Sequence, residues 1–158
     1  MRRIINVLIY ILVYILSAIA AEGANITATG GWSETIDAFD LQAGAGSDLI
    51  DRYESNPNAV RINITGAGGG SWRVDISKMD DNWDADFHLY ARRTSGGIGS
   101  GTISGGTSYM EVEDFDKPFF SGSRNRWIIS VQLRLTGVSV QIPPDTYSTD
   151  VVFTVVDI

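Results

Sequence analysis

Apolar and polar residues alternate along most of this chain, and a period of two predicts β-strands in which one face is buried. Val60, Ile62 and Ile64 alternate with Arg61, Asn63 and Thr65, and Trp72, Val74 and Ile76 alternate with Arg73, Asp75 and Ser77. The same pattern recurs where Phe87, Leu89 and Ala91 interleave with His88, Tyr90 and Arg92. It runs longest from Trp127 through Ile129, Val131 and Leu133 to Leu135, and it closes the chain with Tyr147, Val151, Phe153 and Val155. Weaker strand patterns cover 25–29, 38–42, 108–113 and 138–142. Between them lie turn formers: Gly66 to Gly70, the Gly/Ser-rich stretch Ser95 to Gly106, and Pro143-Pro144-Asp145. The stretch 95–106 is expected to be a mobile hairpin tip, and 47–53 either a short helical turn or a loop. Helical periodicity is hard to find, so the fold predicted is all-β, an antiparallel Ig-like β-sandwich of about eight or nine strands in a single domain over residues 22–158.

The N-terminus departs from this pattern. Arg2 and Arg3 precede a nearly unbroken apolar run from Ile4 to Leu16, and small residues follow through Ala18, Ala20 and Ala21. A basic start, a short apolar stretch and a small-x-small site predict a signal peptide over 1–21. The run is short for a bilayer span and no basic cluster follows it, so cleavage is expected rather than a retained anchor. The protein is then exported, to the periplasm, the cell surface or the extracellular space, with no membrane contact once the leader is gone.

Charge and composition narrow the function. With Arg2 and Arg3 removed, ten Lys and Arg face nineteen Asp and Glu, a formal charge of −9. Nucleic acid is excluded as a natural partner, because phosphate binding needs a basic stripe. The chain has no cysteine and one histidine, His88. A thiol nucleophile, a thiolate metal site and paired-histidine chemistry are therefore excluded.

From Ile142-Pro143-Pro144-Asp145-Thr146-Tyr147 into the Val/Thr alternation ending at Val155, the chain is similar to the final strand of exported bacterial Ig-like sandwiches. Together with the long strand before it, the stretch from Arg126 onward resembles the C-terminal half of spore coat U-type pilins, subunits of chaperone-usher fibres. Asp145 stands where that turn usually carries Gly, and the cysteines of many such pilins are missing. The resemblance implies a sandwich that can serve as a fibre subunit.

Four oxygen-bearing residues, Asp80, Asn82, Asp84 and Asp86, stand at alternate positions of one acidic run, the kind of ligand set a calcium ion takes; a solvated acidic turn is the other reading. It is no EF-hand, since Ala85 and Ala91 occupy positions where that loop needs Gly and Glu. Glu111, Glu113, Asp114 and Asp116 form a second acidic group. Trp83, Tyr90 and Tyr109, with Trp32, are candidates for stacking on a sugar ring, or for packing at sheet edges. Trp72 and Trp127 fall on the apolar phase and are assigned to the core. His88 lies near Asp86, but no nucleophile elbow is present, so no catalytic residue is assigned and an enzyme is not expected. Asn25-Ile26-Thr27 and Asn63-Ile64-Thr65 match the N-glycosylation sequon.

These readings lead to one expectation and one alternative. The expected function is a non-enzymatic exported structural or adhesive surface protein, in its most specific form a pilus-like subunit assembled by strand addition. Its partners are then copies of itself or other exported surface proteins, and Asn25, Ile26 and Thr27 lie in the segment proposed to add to a neighbour's sheet edge. The same segment can instead be the first strand of its own sandwich. The alternative function is a monomeric module that binds a polysaccharide or another ligand, with calcium as its one conceivable cofactor.

Overall fold

The computed structural model describes residues 7–15, as a strand, and residues 23–158. Eleven strands follow one another: β1 (Val7–Ile15), β2 (Asn25–Ile36), β3 (Arg52–Glu54), β4 (Val60–Thr65), β5 (Ser71–Asn82), β6 (His88–Arg93), β7 (Ile103–Gly105), β8 (Met110–Glu111), β9 (Lys117–Ser123), β10 (Arg126–Thr136) and β11 (Thr146–Asp157). One sheet runs β7-β9-β5-β11-β1-β2. The other runs β2-β4-β10-β6-β8, with β3 also paired to β10. The predicted β-sandwich is the fold observed. Of the predicted leader, the cleavage residues lie outside the described part of the chain, while the middle of its apolar run is β1.

The two sheets meet in one core. Trp72, Val74, Ile76, Phe120, Val151 and Phe153 come from the first, and Ile62, Ile64, Leu89, Ile129, Leu133 and Leu135 from the second. Apart from Phe120, each set follows the alternation in the sequence, because successive side chains of a strand point to opposite faces. Trp72 is fully buried, meets Phe120 edge-on at 6.1 Å and donates its indole N–H to the Arg124 carbonyl at 2.7 Å. Tyr147 is buried at the start of β11 and donates its hydroxyl to the Pro143 carbonyl at 2.8 Å, four residues upstream. A tyrosine tied back across a corner in this way is a feature of Ig-like sandwiches.

β2 belongs to both sheets. Asn25 to Gly30 pair with β4, whereas Gly31 to Ile36 pair with β1. The switch falls on Gly30 and Gly31, where the backbone turns through φ of 110° and 158° and the Gly31 amide donates to the Ala59 carbonyl. A Cβ on Gly30 would stand 2.1 Å from that carbonyl oxygen, so only glycine fits the corner.

Five expectations change. Residues 47–53 are neither a helical turn nor wholly a loop, since Leu49 bridges to Leu41 and Arg52 and Tyr53 open β3. Residues 38–40 form a 3-10 turn, not a strand, because Asp37 caps it: its carboxylate accepts from the Phe39 amide while Asp40 accepts from the Asp37 amide. Residues 138–142 are turn, although Val138 and Ile142 are buried. Trp127 is not core: a bulge between Arg126 and Ile129, with Ile128 at φ 58°, shifts the phase and leaves Trp127 and Ile128 exposed. The Asn63 amide oxygen accepts from the Ile128 amide at 2.8 Å and holds the bulge. Finally, 95–106 is not a loose tip. Ile98 bridges to Trp127, Ile103 to Gly105 form β7, and Arg126 donates to the carbonyls of Gly99 and Gly101.

Candidate functional site

The feature with the clearest functional consequence is the position of β1. It lies between β11 and the second half of β2, parallel to β11 from Leu8 opposite Thr146 to Ile15 opposite Phe153, and antiparallel to β2 from Val7 opposite Ile36 to Leu12 opposite Gly31. Every other strand pairing among the described residues is antiparallel. β11 and β2 therefore meet across a strand-wide interval, and the chain fills it with nine uncharged residues, VLIYILVYI. The β11 positions along it include Tyr147, Thr149, Val151 and Phe153, all buried, and β2 adds buried Ile36. Backbone N–H and C=O groups facing an empty interval would need partners, which makes it a site for an added strand.

The segment carrying Asn25, Ile26 and Thr27 pairs with β4 from Asn25 opposite Thr65 to Gly30 opposite Val60, with Ile26 and Ala28 buried. It closes the second sheet of its own sandwich. Asn25 donates its side-chain amide to the Gly23 carbonyl, and the Asn63 amide group reaches the Thr27 hydroxyl.

The acidic run is dispersed. A bulge at Asp81 interrupts the β5–β11 register. Asp80 pairs with Lys78 and accepts from the Thr149 hydroxyl at 2.7 Å; Asn82 donates to the Thr146 carbonyl; Asp84 accepts from the Asp86 amide within its own turn. The structure does not bring Asp80, Asn82, Asp84 and Asp86 to one point, and among the described residues no three His, Cys, Asp or Glu side chains converge as a metal requires. In the second group Glu111 lies 2.5 Å from His88, Glu113 faces Lys117 at 3.8 Å, and Asp116 accepts from Ser77. His88 thus pairs with Glu111, not with Asp86. The Asp150 carboxyl is pushed above its ordinary value by burial and then by the neighbouring charge of Asp81.

The aromatic candidates are held in packing. Trp83 meets Phe87 edge-on at 5.3 Å, donates its indole N–H to the Phe87 carbonyl and has Lys78 over its ring. Phe87 in turn meets Tyr147 at 4.9 Å, so Trp83 caps the core at that end. The Tyr109 ring lies under the guanidinium groups of Arg134, 3.5 Å from its centroid, and Arg92, at 4.6 Å. Tyr90, half-buried, stands between Arg134 and Glu111 in the register of β6. Trp32 donates to Glu34.

Two features were not foreseen from the sequence. One is the filled interval, whose signal was available: seven of the nine β1 residues are Val, Ile or Tyr, the residues most favoured in strands. The other is a cleft lined by Pro57, Arg92, Arg93, Thr94 and Thr107, which no local pattern announces because its walls come from the end of β6 and from the distant segments about Pro57 and Thr107. No protein-family model matches the chain, and a search of curated proteins finds no relative.

Proposed function

We propose that this protein is an exported structural subunit of the cell surface, assembled by strand addition into the interval between β11 and β2. The observation that carries the reading is that this interval is filled by residues 7–15, the middle of the run that reads as a cleavable leader. Loss of the leader would leave β11 and residues 31–36 of β2 with unpaired edges beside an apolar core. An incoming strand would gain main-chain hydrogen bonds along both edges, and its alternate side chains would meet Tyr147, Val151 and Phe153. Because Asn25 to Gly30 already pair with β4, the strand comes from another exported subunit or from a second region of a neighbouring copy.

The test is light scattering after size-exclusion chromatography on a chain beginning at Glu22, alone and with a peptide of residues 7–15 flanked by lysines. The expected result is ordered self-association of the shortened chain, resistant to SDS, and a monomer carrying one peptide when the peptide is in excess. A stable monomer with a cooperative melt that neither associates nor takes up the peptide would refute the proposal.

A further inference from the structure

The two ends of the sandwich carry opposite charge. β11 runs the length of the first sheet, about 36 Å for its twelve residues. Its start, Thr146, is level with Leu8 and Thr35, and its last residue, Asp157, is level with Trp72, beside the pair Ser71 and Ser123. Past Thr35, at the first end, the segment 37–51 holds Asp37, Asp40, Asp48 and Asp51, with Arg52 as the cation that follows. Past Ser123, at the other end, come Arg124 and Arg126, and Arg61 lies on the neighbouring strand opposite Ser130. Among the described residues none of these four carboxylates and none of these three guanidiniums is in an ion pair. The acid nearest the basic end, Asp157, accepts from the Ala24 amide.

Each end also presents apolar side chains to solvent. At the acidic end Phe39 is 97% exposed on the capped 3-10 turn, whose reciprocal Asp37 and Asp40 bonds fix it as a knob, and exposed Ile50 donates its amide to the Asp40 carbonyl beside it. At the basic end Ile98 and Trp127 exchange both backbone hydrogen bonds, at 2.7 and 2.9 Å, so their exposed side chains stand on one face. Ile128 beside them is exposed at φ 58°, a costly conformation for a β-branched residue. The fold holds it there with the Asn63 oxygen and with a close approach at Gly97, where a Cβ would stand 2.2 Å from the Trp127 carbonyl oxygen. Strain kept in order to turn two large apolar residues outward, next to a third, marks a contact surface.

We infer that the basic end docks a second copy of this chain, with the copy's Phe39 seated on Trp127, Ile98 and Ile128 and its flanking carboxylates facing Arg61, Arg124 and Arg126. The two surfaces match in charge as well as in apolar character, which is what guides one partner onto another and excludes like ends. Trp and Arg are the residues that most often anchor such contacts. Because the two surfaces lie at opposite ends, they cannot meet within one chain, and because they differ, the contact joins head to tail and leaves each pair with one free surface of each kind. The contact is small and ionic, hence weak and sensitive to salt. It is independent of strand addition, since it requires residues 7–15 to be neither lost nor replaced.

The test is sedimentation of the full chain, in which β1 fills the interval, over a range of concentrations at low salt and in about 0.5 M sodium chloride. The average mass is expected to rise with concentration at low salt without stopping at a dimer, to return to the monomer in high salt, and to give no SDS-resistant species, which separates this contact from an added strand. F39S and W127S should each weaken association about tenfold or more, and I98S, at a more exposed position, serves if W127S fails to fold. An equimolar mixture of F39S with the platform variant should form a dimer and nothing larger, because each supplies one intact surface. A chain that stays monomeric at low salt, a closed dimer, association unchanged in F39S, or a mixture that forms no dimer overturns the inference.

Discussion

Replacing Gly30 by alanine tests the corner that carries β2 from one sheet to the other. Gly30 and Gly44 both have positive φ, 110° and 83°, so alanine meets a backbone penalty of about 1–2 kcal/mol at either. They differ in what surrounds them. The new Cβ at Gly44 has nothing within 4 Å, while at Gly30 it would sit 2.1 Å from the Ala59 carbonyl oxygen, the acceptor for Gly31. Moving that carbonyl weakens one hydrogen bond, about 1 kcal/mol, and forces a shift between β2 and β4 that costs about 1–3 kcal/mol as overpacking. Gly30→Ala is therefore expected to lose about 2–4 kcal/mol more than Gly44→Ala. For a domain of this size each kcal/mol moves the melting temperature by about 2–4 °C. Melting followed by far-ultraviolet circular dichroism should place Gly30→Ala about 5–15 °C below Gly44→Ala. Melting temperatures within about 2 °C of each other would show that the close approach at the corner does not constrain the fold.

Other expectations follow from the same geometry. Trp72→Phe removes the indole N–H from the Arg124 carbonyl and leaves a void beside Phe120, and urea unfolding should show a loss of about 2–4 kcal/mol; a loss under about 1 kcal/mol would contradict the packing. Asp150 has a folded value above its unfolded one, so it favours folding at low pH and that contribution is lost as pH rises through its folded value. Asp150→Asn should accordingly melt higher than the parent at neutral pH and converge with it near pH 3; a variant less stable at neutral pH would reverse the sign. Because Asp80, Asn82, Asp84 and Asp86 do not converge, millimolar calcium is expected to leave the melting temperature unchanged, and a rise of several degrees would restore the metal reading. Deleting residues 22–30 removes Ile26 and Ala28 from the core and the pairing with β4, so the product should show no cooperative melt; a folded product would return the segment to the role of a donor strand.

What the sequence disclosed depends on how each strand is buried. β4, β6 and the second half of β10 have one core face, and their alternation marks both strand and face. β9 was hidden because Pro118 and Gly122 are poor strand formers, and both are explained only by neighbours. Pro118 sits where the β5–β9 register shifts, and a Cβ on Gly122 would stand 2.5 Å from the Trp72 ring. Trp127 was misassigned because a bulge adds residues to one strand without altering the apolar pattern that follows it. The candidate site was harder still. Asp80 to Asp86 lie close in sequence but their carboxylates are used apart, that of Asp80 by Lys78 and Thr149 and that of Asp84 by its own turn. Thr94 and Pro57, far apart in the chain, do meet, and they are brought together by the pairing of β10 with both β4 and β6.

Residues 7–15 carry the last step, because one run of Val, Leu, Ile and Tyr satisfies two demands. An export signal needs a short uncharged apolar core, and a strand paired on both sides favours β-branched and aromatic residues. The two roles exclude each other in a finished subunit, since a segment that is cut away cannot complete a sheet. Intact mass measured on the protein recovered from the cells that make it therefore decides how the sandwich is closed. A chain that begins near Ala21 leaves the interval beside β11 open, and its isolation as a stable species then requires a strand from elsewhere, visible as assembly or as a bound partner. A chain that retains residues 7–15 and sediments as a monomer would be a sandwich completed from within, and strand addition at this edge would be refuted.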